Sequence, residues 1–300
     1  MRRILISTLL MLCLFGGNVI AGPNDTQTEI QKYIKDLEKD DFPVRKEAVE
    51  ALSKIGTPAM PELTKKLGWP FMTSCGHAAQ VMVNIGKPAV PALIEALGNK
   101  DNLVRTNAAW AIGQIGADAV EAGPTLVALL KDNDEQVRAE AAAALGSVGY
   151  KKGEAVAGLI NLLKDNAGTV RMNAASSLGQ MENDAVSAVP NLIVAIKDEN
   201  IGVREKVIEA LKKIGTPEAL QIAQDKKTNL TQEKAIEIAK EYALKKGEDL
   251  KQYAAPNARF DENRRVWHVY FEMDPPRIGG MFGVEVDDIS GKAINLLYGE

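Results

Sequence analysis

The sequence predicts a mainly α-helical chain, in which an α-solenoid of about six helical pairs precedes a small α+β domain made of a helix and an antiparallel meander. The first observation is a recurring Val-Arg pair whose arginines are Arg45, Arg105, Arg138, Arg171 and Arg204. The last four lie 33 residues apart, and a fixed period in this range is typical of solenoids. The second observation is that the hydrophobic period changes to two near the carboxy terminus.

Each repeat is predicted to contain two helices, and the second, which begins at the Val-Arg pair, is called the B helix below. Its apolar residues follow the arginine at helical spacing, as in Ala108, Ala109, Ile112 and Ile115. A glycine eleven residues after the arginine suits the left-handed position that ends a helix. We expect helical pairs over residues 26–56, 57–86, 87–116, 117–149, 150–182 and 183–215.

Two copies of the repeat depart from this pattern. In the second copy Cys75 stands where the others have arginine, and its turn is Gly68-Trp69-Pro70-Phe71. In the fifth copy Glu182 stands where the glycine would fall.

Aspartates Asp41, Asp101 and Asp134 each lie four residues before an arginine of the repeat. Together with the period, they make residues 26–215 resemble the HEAT repeat, in particular the bilin-lyase-like HEAT subclass. The resemblance implies that such Asp and Arg side chains bond between neighbouring repeats. We therefore interpret the five arginines, with Asp101 and Asp134, as structural rather than ligand-binding.

The carboxy-terminal module begins with a predicted helix over Thr231–Lys246, with Thr231 as its N-cap and Gly247 just past its end. Trp267, Val269, Phe271 and Met273 then alternate with polar residues as in a strand. Residues 281–286 and 293–297 are expected to form a hairpin.

The turn of this hairpin, residues 286–292, reads Val-Asp-Asp-Ile-Ser-Gly-Lys. The element order and this turn resemble the PepSY and cystatin-like families. The Gly279-Gly280 pair ahead of the hairpin resembles the same feature of a nuclear-transport-factor-like immunity domain. The resemblance implies an inhibitory or protein-binding module outside the cytoplasm. The alternative is a sheet that only caps the solenoid.

The amino terminus predicts export. Arg2 and Arg3 precede an apolar run from Ile4 to Phe15, and small residues before Gly22 suit signal peptidase. The expected division is a signal peptide at 1–21, the solenoid at 22–215, a linker or capping segment at 216–229 and the α+β domain at 230–300. Removing the signal peptide takes the formal charge from −4 to −6. We expect a periplasmic protein, with an extracellular location as the alternative and no stable membrane insertion after cleavage.

The composition argues against several functions. The pI is about 5.5 and no basic stripe is present, so nucleic acid is not an expected partner. The two histidines, His77 and His268, lie in different modules and lack the His-Glu pairs of the di-iron deoxyhypusine hydroxylases. Cys75 and His77 are two apart, which places them on different sides of a helix. We therefore expect no catalytic residue, metal or cofactor.

The B helices are expected to line the concave side of the solenoid and to bind a protein partner there. Candidate binding residues on this side are Asn107, Trp110, Gln114, Asn173, Gln180 and His77, with Trp69 and Phe71 as a second patch on a turn. Recurring glycines at Gly113, Gly146 and Gly179 indicate close approach, either by the first helix of a neighbouring repeat or by a partner.

These features favour an exported, non-enzymatic, protein-binding scaffold whose carboxy-terminal module adds a second contact or an inhibitory role. Two alternatives stay open. One is a lyase-like or enzyme-accessory protein that acts on a bound prosthetic group, and the other is a toxin-immunity protein.

Overall fold

The computed structural model describes residues 23–68, 74–223, 230–262, 264–274 and 280–298. The chain divides into two compact units, Met1–Ala92 and Leu93–Glu300. This division differs from the sequence-based one, because the α+β module belongs to the same unit as the last helical pairs. The predicted signal peptide, Trp69 and Phe71 lie outside the described residues.

The first unit consists of helical pairs. Its helices are Pro23–Asp36 (α1), Phe42–Ile55 (α2), Met60–Lys66 (α3) and Ser74–Ile85 (α4), and Val90–Ala96 (α5) crosses into the second unit. The two B helices, α2 and α4, pack against each other, and the buried core includes Leu37, Leu52, Leu63 and Met82. The predicted helical pattern is confirmed here.

The second unit continues the alternation of first and B helices. These are Asn102–Ile115 (α6), Gly123–Leu129 (α7), Glu135–Ser147 (α8), Gly153–Leu162 (α9), Gly168–Gln180 (α10), Val189–Ala195 (α11), Ile201–Ile214 (α12) and Pro217–Ala223 (α13). The B helices α6, α8, α10 and α12 pack successively against one another. The mainly helical, HEAT-like fold is therefore confirmed.

Polar side chains begin most of these B helices, and glycines end them. Asp101 and Asp134 are N-caps whose carboxylates accept hydrogen bonds from backbone N–H groups of the first turn. The glycines predicted to follow B helices have positive φ angles, for example 70° at Gly116 and 71° at Gly215. Glu182 takes the same place in the fifth repeat and also has a positive φ, 51°.

The left-handed backbone at Glu182 predicts that glycine would be preferred there. We expect Glu182→Gly to raise the free energy of unfolding by about 0.5–1 kcal/mol, because relief of the Cβ clash exceeds the added entropy of the unfolded chain. Asn183→Gly, one residue further along in a 3-10 turn, should instead lower it by a similar amount. Urea denaturation of both variants measures this difference, and a stabilising Asn183→Gly or a destabilising Glu182→Gly would contradict the explanation.

The arginines of the second unit join successive repeats in one repeated geometry, which we call the arginine ladder: Arg105, Arg138 and Arg171. Each guanidinium donates from Nε and Nη2 to both carboxylate oxygens of an aspartate 27 residues ahead, at 2.7–2.9 Å. Each Nη1 donates to two backbone carbonyls of the preceding turn, as Arg171 does to Asp165 and Asn166. Every ladder arginine thus fixes its own turn and the next one.

The carboxylates of the ladder are not those that the family resemblance implied. Asp132, Asp165 and Asp198 receive the arginines, whereas Asp101 and Asp134 cap helices. Asp134 does bond across repeats, but to the side-chain amide of Asn102. Asp101 and Asp134 bond within their own helices because the first backbone N–H groups of a helix have no carbonyl partner and need another acceptor.

Hydrogen bonding raises the pKa of the Arg171 guanidinium, the Asp198 carboxylate being the main cause. The Arg138 guanidinium lowers the pKa of the Asp165 carboxyl for the same reason. Both partners are about nine-tenths buried in the Arg171–Asp198 pair, which removes much of the screening by water.

Arg45, in the first unit, makes only part of this pattern. Its Nη1 donates to the Lys39 carbonyl at 2.6 Å, while its buried Nε has no hydrogen-bond partner among the described residues. The position 27 residues ahead is Met72, which lies outside the described residues and could not act as a carboxylate in any case.

Arg204, at the last repeat, finds its carboxylate in the α+β module. The position 27 residues ahead is Thr231, so no aspartate is available there. Instead Nη2 donates to Asp287 Oδ1 at 3.0 Å and to the Arg264 carbonyl at 3.0 Å. Arg204 is fully buried, and this burial lowers the pKa of its guanidinium.

Asp287 reproduces the local geometry of the ladder aspartates. Its Oδ1 accepts from the backbone N–H of Ile289 at 2.9 Å, two residues ahead, just as Asp198 Oδ1 accepts from Asn200 at 2.8 Å. The α+β module therefore occupies the place of a further repeat. This contact explains why it shares a unit with the last helices.

The α+β module contains the helix Gln232–Lys245 (α14) and four strands, Asn257–Asp261 (β1), Val266–Glu272 (β2), Met281–Asp287 (β3) and Lys292–Tyr298 (β4). The strands form an antiparallel sheet in the order β1-β2-β3-β4. Thr231 caps α14 as predicted, with its hydroxyl accepting from Lys234 N. Strand β1 was not predicted from the sequence.

The sheet has two different faces. One face packs on α14 through Trp267, Val269, Phe271, Phe282 and Val284. Next to it, the backbone N–H of Leu230, just before α14, donates to the Asp288 carboxylate. The other face, which we call the open face, carries His268, Tyr270, Gly283, Glu285 and Leu297, placed by the strand register. The predicted alternation along β2 is confirmed.

Candidate functional site

The candidate site in the repeats is the outward surface of α6, α8, α10 and α12, which we call the B-helix row. Small residues bring these helices very close. A Cβ added to Gly113 would lie 3.3 Å from Ala144 Cα, and one added to Gly179 would lie 2.8 Å from Ala210 Cα. The glycines predicted from the sequence thus serve the packing of the repeats. The consequence is that neighbouring B helices leave little room for a side chain at these positions.

Two of the predicted binding amides are used inside the stack. Asn107 is only 2% exposed, and its side chain is engaged within the protein. Asn173 is half-buried and donates from Nδ2 to the Ala139 carbonyl of the preceding B helix at 3.0 Å. Ser177, which the sequence did not single out, donates to the Ala142 carbonyl at 2.7 Å. These side chains hold adjacent helices together rather than facing a partner.

Gln114, Gln180 and Trp110 remain at the surface of the B-helix row. Both glutamines are exposed, and the Trp110 side chain is half-buried. His77 lies on α4 in the first unit, where it is half-buried and its Nδ1 has no partner among the described residues. Of the candidate binding residues, the row therefore keeps Gln114 and Gln180 exposed and Trp110 partly exposed.

Charge enters the row at two places. Burial raises the pKa of the Glu140 carboxyl, which is half-buried on α8 and has no hydrogen bond or ion pair within the described ranges. On α12, Lys213 and Lys206 lower the pKa of Glu209 to about 2. Glu140 is thus an uncompensated charge, whereas Glu209 belongs to a compensated surface cluster.

Arg264 connects α12 to the open face of the sheet. Its Nε lies 3.1 Å from the Glu205 carboxylate, and its Nη1 donates to Glu285 at 2.6 Å. Glu285 is only 4% exposed and also accepts from the Asn295 amide. The arginine is the main cause that lowers the pKa of this carboxyl against the effect of burial. His268 Nδ1 lies 3.5 Å from the same carboxylate.

A metal site requires grouped ligand side chains, and a helical membrane span requires length and apolar character. In the ranges that the structure describes, no three His, Cys, Asp or Glu side chains are grouped as metal ligands. None of the described helices combines the length and apolar character needed to cross a bilayer. The side chains that do cluster, around Glu285, are joined as ion pairs.

Comparison with known families identifies the repeat. The model for HEAT repeats matches residues 76–146, 123–189 and 156–237, which together span more than half of the chain. The chain belongs to the HEAT-repeat family. The match covers the arginine ladder and the B-helix row, while the α+β module lies almost entirely beyond it. The comparison with curated proteins found no match.

Several solved structures are similar to this HEAT-repeat protein. The complex of CpcE and CpcF of phycocyanin lyase from Nostoc sp. PCC7120 is 21% identical with a TM-score of 0.46, and covers 51% of this chain and 98% of that one. A designed armadillo repeat protein in complex with the peptide (KR)4 is 21% identical with a TM-score of 0.43, and covers 62% and 100%. An engineered protein is 24% identical with a TM-score of 0.42, and covers 62% and 96%. With TM-scores below 0.5, the family assignment depends on the sequence match.

The raised pKa of Glu140 predicts a pH-dependent cost to stability. The folded state holds the Glu140 proton more tightly than the unfolded chain, so stability falls as pH rises from the unfolded pKa to the folded one. Glu140→Gln should therefore raise the free energy of unfolding at pH 7, and this gain should shrink or vanish near pH 4. Chemical denaturation at both pH values measures the difference. An equal gain at both would assign the effect to helix propensity or shape instead of ionisation.

Proposed function

We propose that this HEAT-repeat protein is an exported, non-enzymatic scaffold that binds a protein partner along the B-helix row. The observation that carries the proposal is the close packing of α6, α8, α10 and α12, which joins their outward positions into one surface. Exposed Gln114 and Gln180 lie on this surface with Trp110. Side-chain amides can pair with a partner's backbone, and tryptophan is enriched among binding hot spots.

The pairing of the buried carboxylate on the open face supports a binding role over catalysis. The buried carboxylate Glu285 is already neutralised by Arg264, which leaves it a poor general base. An intense colour or a bound metal in the purified protein would contradict the non-enzymatic proposal and favour a prosthetic-group protein.

The matched pair of glutamines offers a direct test of the row. We expect the double variant Gln114→Ala/Gln180→Ala to weaken capture of the partner from a periplasmic extract by about tenfold or more, since hot-spot side chains contribute roughly 1 kcal/mol or more each. Glu121→Ala/Ser187→Ala, at the same 66-residue spacing on exposed 3-10 turns, serves as the control.

Quantitative pull-down with immobilised full-length mature chain gives the readout. Unchanged capture by the glutamine variant, or equal loss in the control, would contradict binding along the B-helix row. Thermal melts of both variants show whether the fold is intact.

Export is proposed from residues 1–21 and has its own test. Expressed from its own start in a Gram-negative host, the protein should appear in the periplasmic fraction with Gly22 as its first residue. Replacing both Arg2 and Arg3 by Glu should retain the unprocessed chain in the cytoplasm. Intact-mass measurement of each fraction distinguishes the two forms, and a full-length chain in the periplasm would contradict cleavage at this position.

A further inference from the structure

Three cavities in the second unit lie side by side and share walls. The first, of about 400 Å³, lies between α12 and the β1–β2 connection, with Lys206, Glu209 and Asp261 among its lining residues. The second, of about 490 Å³, lies over β1 and β2 and is lined by Asp261, His268 and Tyr270 among others. Asp261 lines both, so the two cavities are adjacent.

The third cavity closes this series on the open face of the sheet. It measures about 150 Å³, and His268 and Tyr270 separate it from the second cavity. Its remaining walls are apolar, and Gly283 lies on its floor in register with Tyr270 and Leu297. These three adjacent cavities follow one another from α12 to this apolar end, and we call the series the sheet trough.

The sheet trough begins on the surface proposed to bind a partner. Lys206 and Glu209 occupy outward positions of α12, the last B helix of the row. Arg264 bridges Glu205 on α12 and Glu285 on the open face, so the two surfaces are held in one fixed arrangement. The trough is therefore a continuation of the B-helix row onto the sheet.

The apolar end differs from the rest of the open face. Tyr270, Met281 and Leu297 are 39%, 44% and 47% exposed, and all three line the third cavity. This apolar end by itself, at about 150 Å³, is smaller than the roughly 300–1,000 Å³ of sites for small-molecule cofactors. It has the size for one large apolar side chain.

We propose that the sheet trough binds an extended peptide segment of a protein partner, with one large apolar side chain seated against Gly283. This inference rests on the proposed scaffold function and specifies how the partner continues beyond the row. The walls carry both signs of charge, in Lys206, Glu209 and Arg264, which suits a polypeptide of mixed charge. An anionic membrane or a nucleic acid would require a surface of mainly positive charge.

Gly283 permits a test that fills the pocket without disturbing the fold. A Cβ added there meets only ordinary contacts, with the Tyr270 ring and the Val269 carbonyl at 3.7 Å, and its φ is not left-handed. Gly283→Leu should therefore fold and block the apolar end. Gly153→Leu is the matched control, because an added Cβ at that exposed helix start has nothing within 4 Å.

The experiment uses random twelve-residue peptides displayed on phage and panned against the full-length mature chain. Selected sequences are synthesised with a fluorophore and titrated by anisotropy. The proposal predicts selected peptides that share one large apolar residue, a Kd raised about tenfold or more by Gly283→Leu, and no change with Gly153→Leu. Should Gly283→Leu fail to fold, Tyr270→Ala, which removes an exposed wall of the same pocket, takes its place.

Three results would overturn the proposal. One is that no peptide is selected, and another is that selected peptides bind equally well to wild type and Gly283→Leu. In that second case, a loss of affinity only in Gln114→Ala/Gln180→Ala would show that the selected peptides bind the B-helix row and not the sheet trough. The third is concentration-dependent self-association in sedimentation that Gly283→Leu abolishes, which would make a second copy of this chain the occupant.

Discussion

The bidentate arginine–aspartate pair between neighbouring repeats is the interaction on which the rest of this structure depends. Each ladder guanidinium uses Nη1 for its own turn and Nε with Nη2 for the next, so one side chain sets both the turn and the spacing to its neighbour. Removing one partner of such a buried pair typically costs about 3–5 kcal/mol, because the other charge is left without compensation. The ladder therefore restricts how the helices can stack.

The close approach of the B helices follows from the same constraint. With the turns fixed, the B helices meet near their carboxy-terminal ends at Gly113, Gly146 and Gly179, where an added Cβ would lie 3.3 Å or less from the next helix. Asn173 and Ser177 then donate to backbone carbonyls of the preceding B helix, which adds polar bonds to an alanine-rich contact. Only side chains that are not used in this packing, such as Gln114 and Gln180, remain available to a partner.

The contact between Arg204 and Asp287 explains how a helical repeat and an unrelated sheet become one unit. Asp287 Oδ1 accepts from Arg204 Nη2 and from a backbone N–H two residues ahead, as Asp198 Oδ1 does from Arg171 and its own turn. The second contact of Asp198, with Nε, is replaced here by the Arg264 carbonyl. The sheet thus offers the arginine of the last repeat an aspartate carboxylate, the same group that the repeats offer one another. Because Arg264, in the β1–β2 connection, pairs with Glu205 on α12 and with Glu285, the open face is fixed beside the B-helix row.

Much of this fold could be predicted from the sequence because periodic packing leaves periodic residues. The Val-Arg pairs, the terminal glycines and the Thr231 cap indicate helices that the structure contains, and Glu182 takes the backbone conformation of the glycine that it replaces. The ladder aspartates were missed, although Asp132, Asp165 and Asp198 share a readable spacing of 27 from their arginines. The resemblance to the family directed attention to the cap aspartates instead.

Other features had no periodic pattern to reveal them. Asp287 lies 83 residues from Arg204 in a module of a different fold, so no spacing connects them. Strand β1 is short and mostly polar, which gives it little alternation. Asn107 and Asn173 point into the stack because their side of the helix meets a neighbouring helix. The residue types at these positions do not reveal which side of the helix that is.

The most direct test of this account is a double-mutant cycle on Arg204 and Asp287, with Arg171 and Asp198 as the internal reference. Arginine is replaced by Met to keep the aliphatic stem and aspartate by Ala, and free energies of unfolding are measured by urea denaturation. The account predicts a coupling energy of about 1–3 kcal/mol for both pairs. A coupling below about 0.5 kcal/mol at Arg204–Asp287, with the reference pair intact, would show that the sheet does not continue the ladder.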